Sequence, residues 1–255
     1  MAPLPVTLTD VELPNVEGGS AGLRGVLGVP EGRGPWPGVV LVHEAYGVND
    51  VMRRQVARMA SAGYLALMPD LFSDGGLRRC LMATVRALQA GEGRAFVDIE
   101  SARDVLGARD DSTGKVGVLG FCMGGGFALA AAAGHGFEVS SVNYGLLRKK
   151  LDDDLRGACP IVGSYGGRDM SLRGATAKLE ASLTRLAVPH DLKEYPDAGH
   201  SFLNDAEEGP RAMRFLTKRI LGAGPNPDAA ADAWKRIEAF FAEYLGVSSN
   251  AARER

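Results

Sequence analysis

The stretch Gly120-Phe121-Cys122-Met123-Gly124 sets a thiol between two glycines, directly after the apolar run KVGVLG. Glycines two residues either side of one reactive side chain point to a sharply bent backbone, because larger residues would clash across the bend. The pattern is G-x-C-x-G, with cysteine in the serine place of a strand-to-helix nucleophile turn. A helix that starts after Cys122 would aim its N-terminus at the sulfur and favour the thiolate. The plainer alternative is a buried structural cysteine beside glycines used for helix–sheet packing. Cys80, in an apparent helix, and Cys159, before a strand, have no such setting and are expected to be inert.

A thiol nucleophile needs a base, and the base an orienting acid. On this kind of turn the chain order is nucleophile, acid, histidine. Only His190 and His200 lie late enough. His200 sits in YPDAGHSF, a loop just after a strand, where a base can reach the turn. His190 opens that strand and is expected to face solvent. His43, inside VVLVHE, reads as a satisfied core or edge histidine, and His135 as a surface cap after an alanine-rich helix. Asp169, in PIVGSYGGRDM, lies 47 residues beyond Cys122 and 31 before His200, room for one strand–helix unit each way. Asp197 competes for the acid role, but three residues from His200 it reads as a turn stabiliser. Asp152 to Asp154 read as a solvated loop or helix cap. In LVHEAYGVND a strand ends at Glu44. Backbone amides of Ala45 and Met123 would then form an oxyanion site. A carboxylate near a thiol raises its pKa, so Glu44 is expected to gate the thiolate. Tyr46, Tyr144 and Ser201 are expected to bind substrate, with a core role as the alternative for Tyr144.

The elements that must position these residues are legible as periodic runs. LRGVLGVP, GVVLVHE, YLALMPDLF, KVGVLGF, CPIVGSYG and HDLKEYP read as strands, and VNYG follows another. Several are continuously apolar, as in strands covered on both faces. Between them, DVMRRQVARMASAG places Val51, Val56, Met59 and Ala60 on one helical face, and RAFVDIESARDVLGA does so with Phe96, Ile99 and Val105. GGGFALAAAAG is small and apolar, suited to close packing on a sheet. DAAADAWKRIEAFFAEYL repeats Trp234, Ile237, Phe241 and Leu245 at helical spacing. Alternating strands and helices predict an α/β fold, a mostly parallel central sheet with helices on both faces. LGAGPNPDA joins the last helix, the tail SSNAARER reads as frayed, and residues 1–255 are expected to form a single domain.

Composition narrows the function classes. The formal net charge is -2 over 255 residues, so no global basic field points to nucleic acid or an anionic membrane. RAMRFLTKRI, with Lys218 and Arg219, reads as a solvated helix face. No secretory signal and no apolar span long enough for a bilayer is visible. Three widely spaced cysteines fit free thiols in a reducing cytoplasm. HEAYG lacks the second histidine of a zinc-protease helix motif, STGK lacks the first glycine of a phosphate loop, and no G-x-G-x-x-G follows the first strands. No metal-ligand spacing appears and no cofactor is expected.

Together the stretches VHEAYGVN, GYLALMPDLF, GFCMGG, GGRD and AGHSF resemble the dienelactone hydrolase family, a cysteine branch of the α/β-hydrolases, in the family's order from residue 38 to 203. The resemblance implies Cys122 as nucleophile, Asp169 as acid and His200 as base, and as partner a small-molecule lactone or ester, acted on by a monomer or small homo-oligomer. It implies that Glu44 interacts with the resting thiol and helps to ionise it when substrate binds, and that an enol lactone is hydrolysed to a keto acid through an acyl-cysteine. The chain departs from the family at its substrate-carboxylate arginines. After HSF come Leu203 and Asn204, with no arginine before Arg211, and after DLF a different segment carries Arg78 and Arg79. Two other readings stay open on the sequence: another activity of the fold, thioester or C–C bond hydrolysis, and a non-catalytic thiol sensor.

Overall fold

Apolar runs of five to seven residues, bounded by glycine, proline and asparagine, make the interior strands of a sheet that spans the computed structural model. The structure describes residues 3–209 and 211–246, with the side chains of 211–213 and 216 outside that description. The polar tail and Arg211's side chain therefore lie beyond it. The strands are β1 (Val6–Glu12), β2 (Arg24–Pro30), β3 (Trp36–Val42), β4 (Leu65–Pro69), β5 (Ser112–Phe121), β6 (Ser140–Asn143), β7 (Ile161–Gly166) and β8 (His190–Tyr195). Their order is β1-β2-β4-β3-β5-β6-β7-β8. From β4 to β8 all neighbours are parallel, while β2 pairs antiparallel with both β1 and β4. β1 escapes a reading based on apolar runs. VTLTDVE is an exposed edge, and its register against β2, from Val6↔Pro30 to Glu12↔Arg24, is what makes it a strand.

The helices are α1 (Asp50–Ser61), α2 (Gly76–Ala90), α3 (Arg94–Gly107), α4 (Met123–Ala131), α5 (Leu151–Asp154), α6 (Ala175–Arg185), α7 (Arg211–Leu221) and α8 (Pro227–Leu245). The pleat divides the core in two. Val39 and Leu41 of β3 face a cluster with Val56 and Met59 of α1, Leu179 of α6 and Trp234, Ile237 and Phe241 of α8. Val40 and Val42 face the opposite one, with Phe96, Ile99 and Leu106 of α3 and Phe127 of α4. In α3 it is Leu106 that is fully buried, while Val105 sits at the cluster's edge. Caps end the long helices as side-chain chemistry dictates. Asn49 accepts from the Met52 amide ahead of α1, and Asn226 from the Ala229 amide ahead of α8, where Pro227 follows. Among the described residues no helix is long and apolar enough to cross a membrane.

Candidate active site

Where the strand order reverses, a parallel sheet opens a crevice at its carboxyl edge. Here the reversal falls between β3 and β5, because β4 lies on one side of β3 and β5 to β8 on the other. Glu44 and Ala45 follow β3, Cys122 follows β5, Asp169 follows β7 and His200 follows β8. Residues 156 positions apart in the chain are thereby brought to one edge.

Cys122 sits between β5 and α4 with φ 54° and ψ −114°, in the left-handed region that costs a non-glycine residue roughly 1–3 kcal/mol. The surrounding glycines have a steric cause. A Cβ on Gly120 would overlap the Gly124 carbonyl, and one on Gly124 would overlap the Val42 carbonyl of β3. The turn is thus pressed against the neighbouring strand, with the sulfur on the cavity wall. Met123 is the first residue of α4, so its amide is among those a helix leaves without an intrahelical partner. Ala45 lines the same cavity.

His200 is held by backbone on both sides. Its amide donates to the Leu221 carbonyl (2.9 Å) and its carbonyl accepts from Gly224 (3.0 Å). Its Nδ1 lies 2.5 Å from Oδ2 of Asp169. The other carboxylate oxygen, Oδ1, accepts from the amide (3.0 Å) and the hydroxyl (2.6 Å) of Ser171. The two loops approach closely because Gly166, at the end of β7, touches the Gly199 carbonyl where any side chain would not fit. Burial works against charge on the His200 ring, but Asp169 and the nearby Cys122 sulfur outweigh it and push the pKa up to about 11. Burial likewise opposes the Asp169 charge, and the His200 and Ser171 donors more than offset it, leaving its pKa below the ordinary value.

Glu44 is almost wholly buried. Its Oε2 accepts from the Ser201 hydroxyl (3.1 Å) and its Oε1 from the Asn204 amide (3.2 Å). Ser201 itself has φ 57°, a turn that aims its hydroxyl back at the crevice. Tyr46 and Ser201 line the cavity. Tyr144 does not. It is fully buried behind the wall, its ring 5.1 Å from that of His200 and 5.7 Å from that of Phe202. The cause is the end of β6, where Tyr144 takes φ 41° and its amide is fixed to the Ser164 carbonyl of β7. The cavity also contains residues with no local signal in the sequence. Glu208 comes from the loop before α7, and Arg214, Thr217 and Leu221 from α7 itself. The expected solvated face of α7 is only half of it. Lys218 and Arg219 are exposed, but the other edge walls the site.

A model of the dienelactone hydrolase family matches residues 23–245. The chain belongs to the dienelactone hydrolase family. It is 31% identical over 229 residues to the carboxymethylenebutenolidase of Rhodococcus opacus, covering 83% of this chain and 82% of that one. The fold is also that of a dienelactone hydrolase from Anabaena variabilis (TM-score 0.62, 22% identity, 94% of this chain and 99% of the other). It likewise matches brefeldin A esterase, a bacterial homologue of human hormone sensitive lipase (TM-score 0.66, 16% identity, 95% and 78%). The protein is therefore a hydrolase with the α/β-hydrolase fold, of a family acting on small-molecule esters or lactones.

Other candidate residues of this family member fall outside the crevice. Arg78 and Arg79 are exposed at the start of α2. Asn204, after HSF, is the exception: it lines the cavity and is bound to Glu44. His43 is fully buried, accepts from the Leu71 amide at Nε2 and contacts the Glu44 carbonyl through Nδ1; burial lowers its pKa. Asp197 pairs with Arg168 on the surface. Asp152 is bound by Arg185 and Ser182. Two expectations are corrected. His190 is half-buried, because Nδ1 contacts the Val188 carbonyl and Nε2 lies 3.2 Å from Glu180. His135 is no simple cap: it stacks on Phe96 and bonds Glu100 of α3 at 2.6 Å. Cys80 is buried with its sulfur toward the Phe72 carbonyl, and burial pushes the Cys159 thiol up to about 12.

Proposed function

We propose that this protein hydrolyses a small lactone or carboxylic ester of the dienelactone type through an acyl-cysteine on Cys122, with His200 as base and acid and Asp169 holding the ring. The observation that carries this reading is the 2.5 Å contact of Asp169 with His200, on a ring close enough to Cys122 for the sulfur to raise its pKa. In the first half-reaction the Cys122 proton already rests on His200, whose raised pKa holds it, and the thiolate attacks the carbonyl carbon. A C–S bond forms and the carbonyl π pair moves to oxygen, facing the Ala45 and Met123 amides. Collapse breaks the C–O bond, and His200 returns its proton to the leaving oxygen. In a lactone that oxygen stays tethered; an enol product ketonises. In the second half, His200 takes a proton from water and the hydroxide adds to the thioester. The C–S bond then breaks, releasing the acid and restoring the Cys122 thiolate beside protonated His200.

Glu44 supports this sequence as a carboxylate poised by Ser201 and Asn204 near the thiol. A working thiol fits a reducing compartment such as the cytoplasm. The test is acyl trapping. Rapid acid quench after mixing with an activated ester, followed by peptide mass spectrometry, should find the acyl mass on Cys122. The adduct should vanish in Cys122→Ala and persist in His200→Ala only if acylation escapes its base. Reversible oxidation of Cys122 without any acyl adduct or turnover would instead favour the sensor, and preferential turnover of acyl thioesters the other hydrolytic chemistry.

A further inference from the structure

A second cavity, of about 770 Å³, lies beside the loop that carries Asp169. That volume is within the range of small-molecule sites. The segment after β6, residues 146–153, forms one wall. The turn Met170–Leu172 and the first turns of α6 form the other. Among the described residues no side chain lines both this cavity and the one over Cys122.

Its lining holds six cationic side chains and two acidic ones, on a chain whose formal net charge is -2. Both acids are already engaged. Asp152 accepts from Arg185 at 2.7 Å and from Ser182, and Asp153 pairs with Arg156 at 3.4 Å. Arg148 pairs with Asp154, just outside the lining, at 3.2 Å. Lys149, Lys150, Arg173 and Lys178 remain, all exposed, and among the described residues none of the four has an ion-pair partner. Two come from each wall. Like charges facing each other across a concavity repel, and a multiply charged anion between them turns that repulsion into charge-assisted hydrogen bonds. The field is concentrated by the cleft rather than spread over a flat face. Ala175, the first residue of α6, also lines the cavity, and no side chain caps that helix, so its positive end adds to the field. The floor is apolar: Leu172 is buried, and Leu147 and Leu151 are half-buried.

We infer that this cavity binds a small organic polyphosphate, of the nucleoside di- or triphosphate kind. Its phosphates lie between Lys149 and Lys150 on one side and Arg173 and Lys178 on the other, and its ring lies on the leucines. Four unpaired cations call for several negative charges on one compact ligand, which a polyphosphate supplies and a monocarboxylate does not. The inference does not depend on the hydrolase reading above, since the two cavities are lined by different residues.

The test is calorimetric titration of the full chain with ATP, without divalent metal, at low and at moderate salt. Wild type should bind one equivalent with a Kd of about 100 µM or tighter at about 50 mM salt. Affinity should fall at least about tenfold by about 300 mM. Lys149→Gln combined with Arg173→Gln, one from each wall, should weaken binding at least about tenfold. Lys115→Gln combined with Lys235→Gln removes the same charge from exposed positions elsewhere and should weaken it less than about threefold. Inorganic tripolyphosphate, which has no ring to lay on the leucines, should bind at least about threefold more weakly than ATP. Cys122→Ala should bind ATP as wild type does. No binding, equal losses in the two double variants, tripolyphosphate as tight as ATP, or loss of binding in Cys122→Ala would each overturn the inference. So would binding to phosphatidylserine vesicles that ATP fails to displace.

Discussion

Nδ1 of His200 stands 2.5 Å from Oδ2 of Asp169, and the Tyr144 ring packs 5.1 Å from the same imidazole. The ring is thus fixed by a charge on one edge and an aromatic neighbour on another. Asp169→Asn keeps the shape but removes the acceptor that selects the tautomer. Ester turnover should fall roughly a thousandfold or more, with the folded circular dichroism spectrum retained. A drop of less than tenfold would assign Asp169 a structural role at the Ser171 turn.

The same contact couples stability to pH. The His200 pKa is raised to about 11, so the folded state holds this proton more tightly than the unfolded chain. Its contribution is fully present below about pH 6.5 and is lost as pH rises toward 11. Asp169 is shifted the other way, so its contribution is present above its unfolded value and lost in acid. Urea unfolding of wild type should weaken between pH 7 and 10 by on the order of a few kcal/mol more than that of His200→Gln.

Glu208 predicts a substitution that stabilises. Burial and the neighbouring Glu44 push its folded pKa up to about 9, above the ordinary glutamate value of 4.5, so wild type loses stability as pH rises through that window. Glu208→Gln removes the ionisation. Its melting temperature should equal that of wild type near pH 4.5 and exceed it by a widening margin toward pH 9. Parallel curves across that range would mean that the Glu208 carboxyl meets water.

The turn at Cys122 tolerates no added carbon. A Cβ at Gly120 or Gly124 overlaps a backbone carbonyl, which no rotamer change relieves. Gly124→Ala should cost about 3 kcal/mol or more and abolish turnover, read by denaturant midpoint and by activity. Gly134→Ala is the control for added side-chain volume, since nothing lies within 4 Å of its Cβ position. With φ 80° it carries only the backbone penalty.

Thiol labelling separates the three cysteines. Cys122 lies on the cavity wall, Cys80 is buried, and Cys159 is pushed up to about 12. Iodoacetamide at pH 7 should modify Cys122 at least about a hundredfold faster than either other thiol, followed by intact-protein mass spectrometry. Equal rates would remove the special status of the turn.

Much of the scaffold was legible because burial on both faces leaves an unmistakable record. VVLV, LALM and VGVLG could only be interior strands, and Trp234, Ile237 and Phe241 repeat at the helical period. β1 left no such record, because an edge strand owes its pairing to a neighbour rather than to apolar residues. Cys122, Asp169 and His200 could be nominated from glycine spacing and chain order. Tyr144 could not be placed, since one positive φ after β6 turned it behind the wall.

The sequence by itself determined the α/β layering, the bent cysteine turn and the order of candidate groups, because these depend on local periodicity and on sterics within a few residues. The tertiary structure alone decided which side chains share the crevice. It set Ser201 and Asn204 on Glu44, brought Glu208 opposite it and made α7 a wall. Those pairings follow from where the strand order reverses and how distant loops fold over that edge, and no run of neighbouring residues encodes a distance between loops.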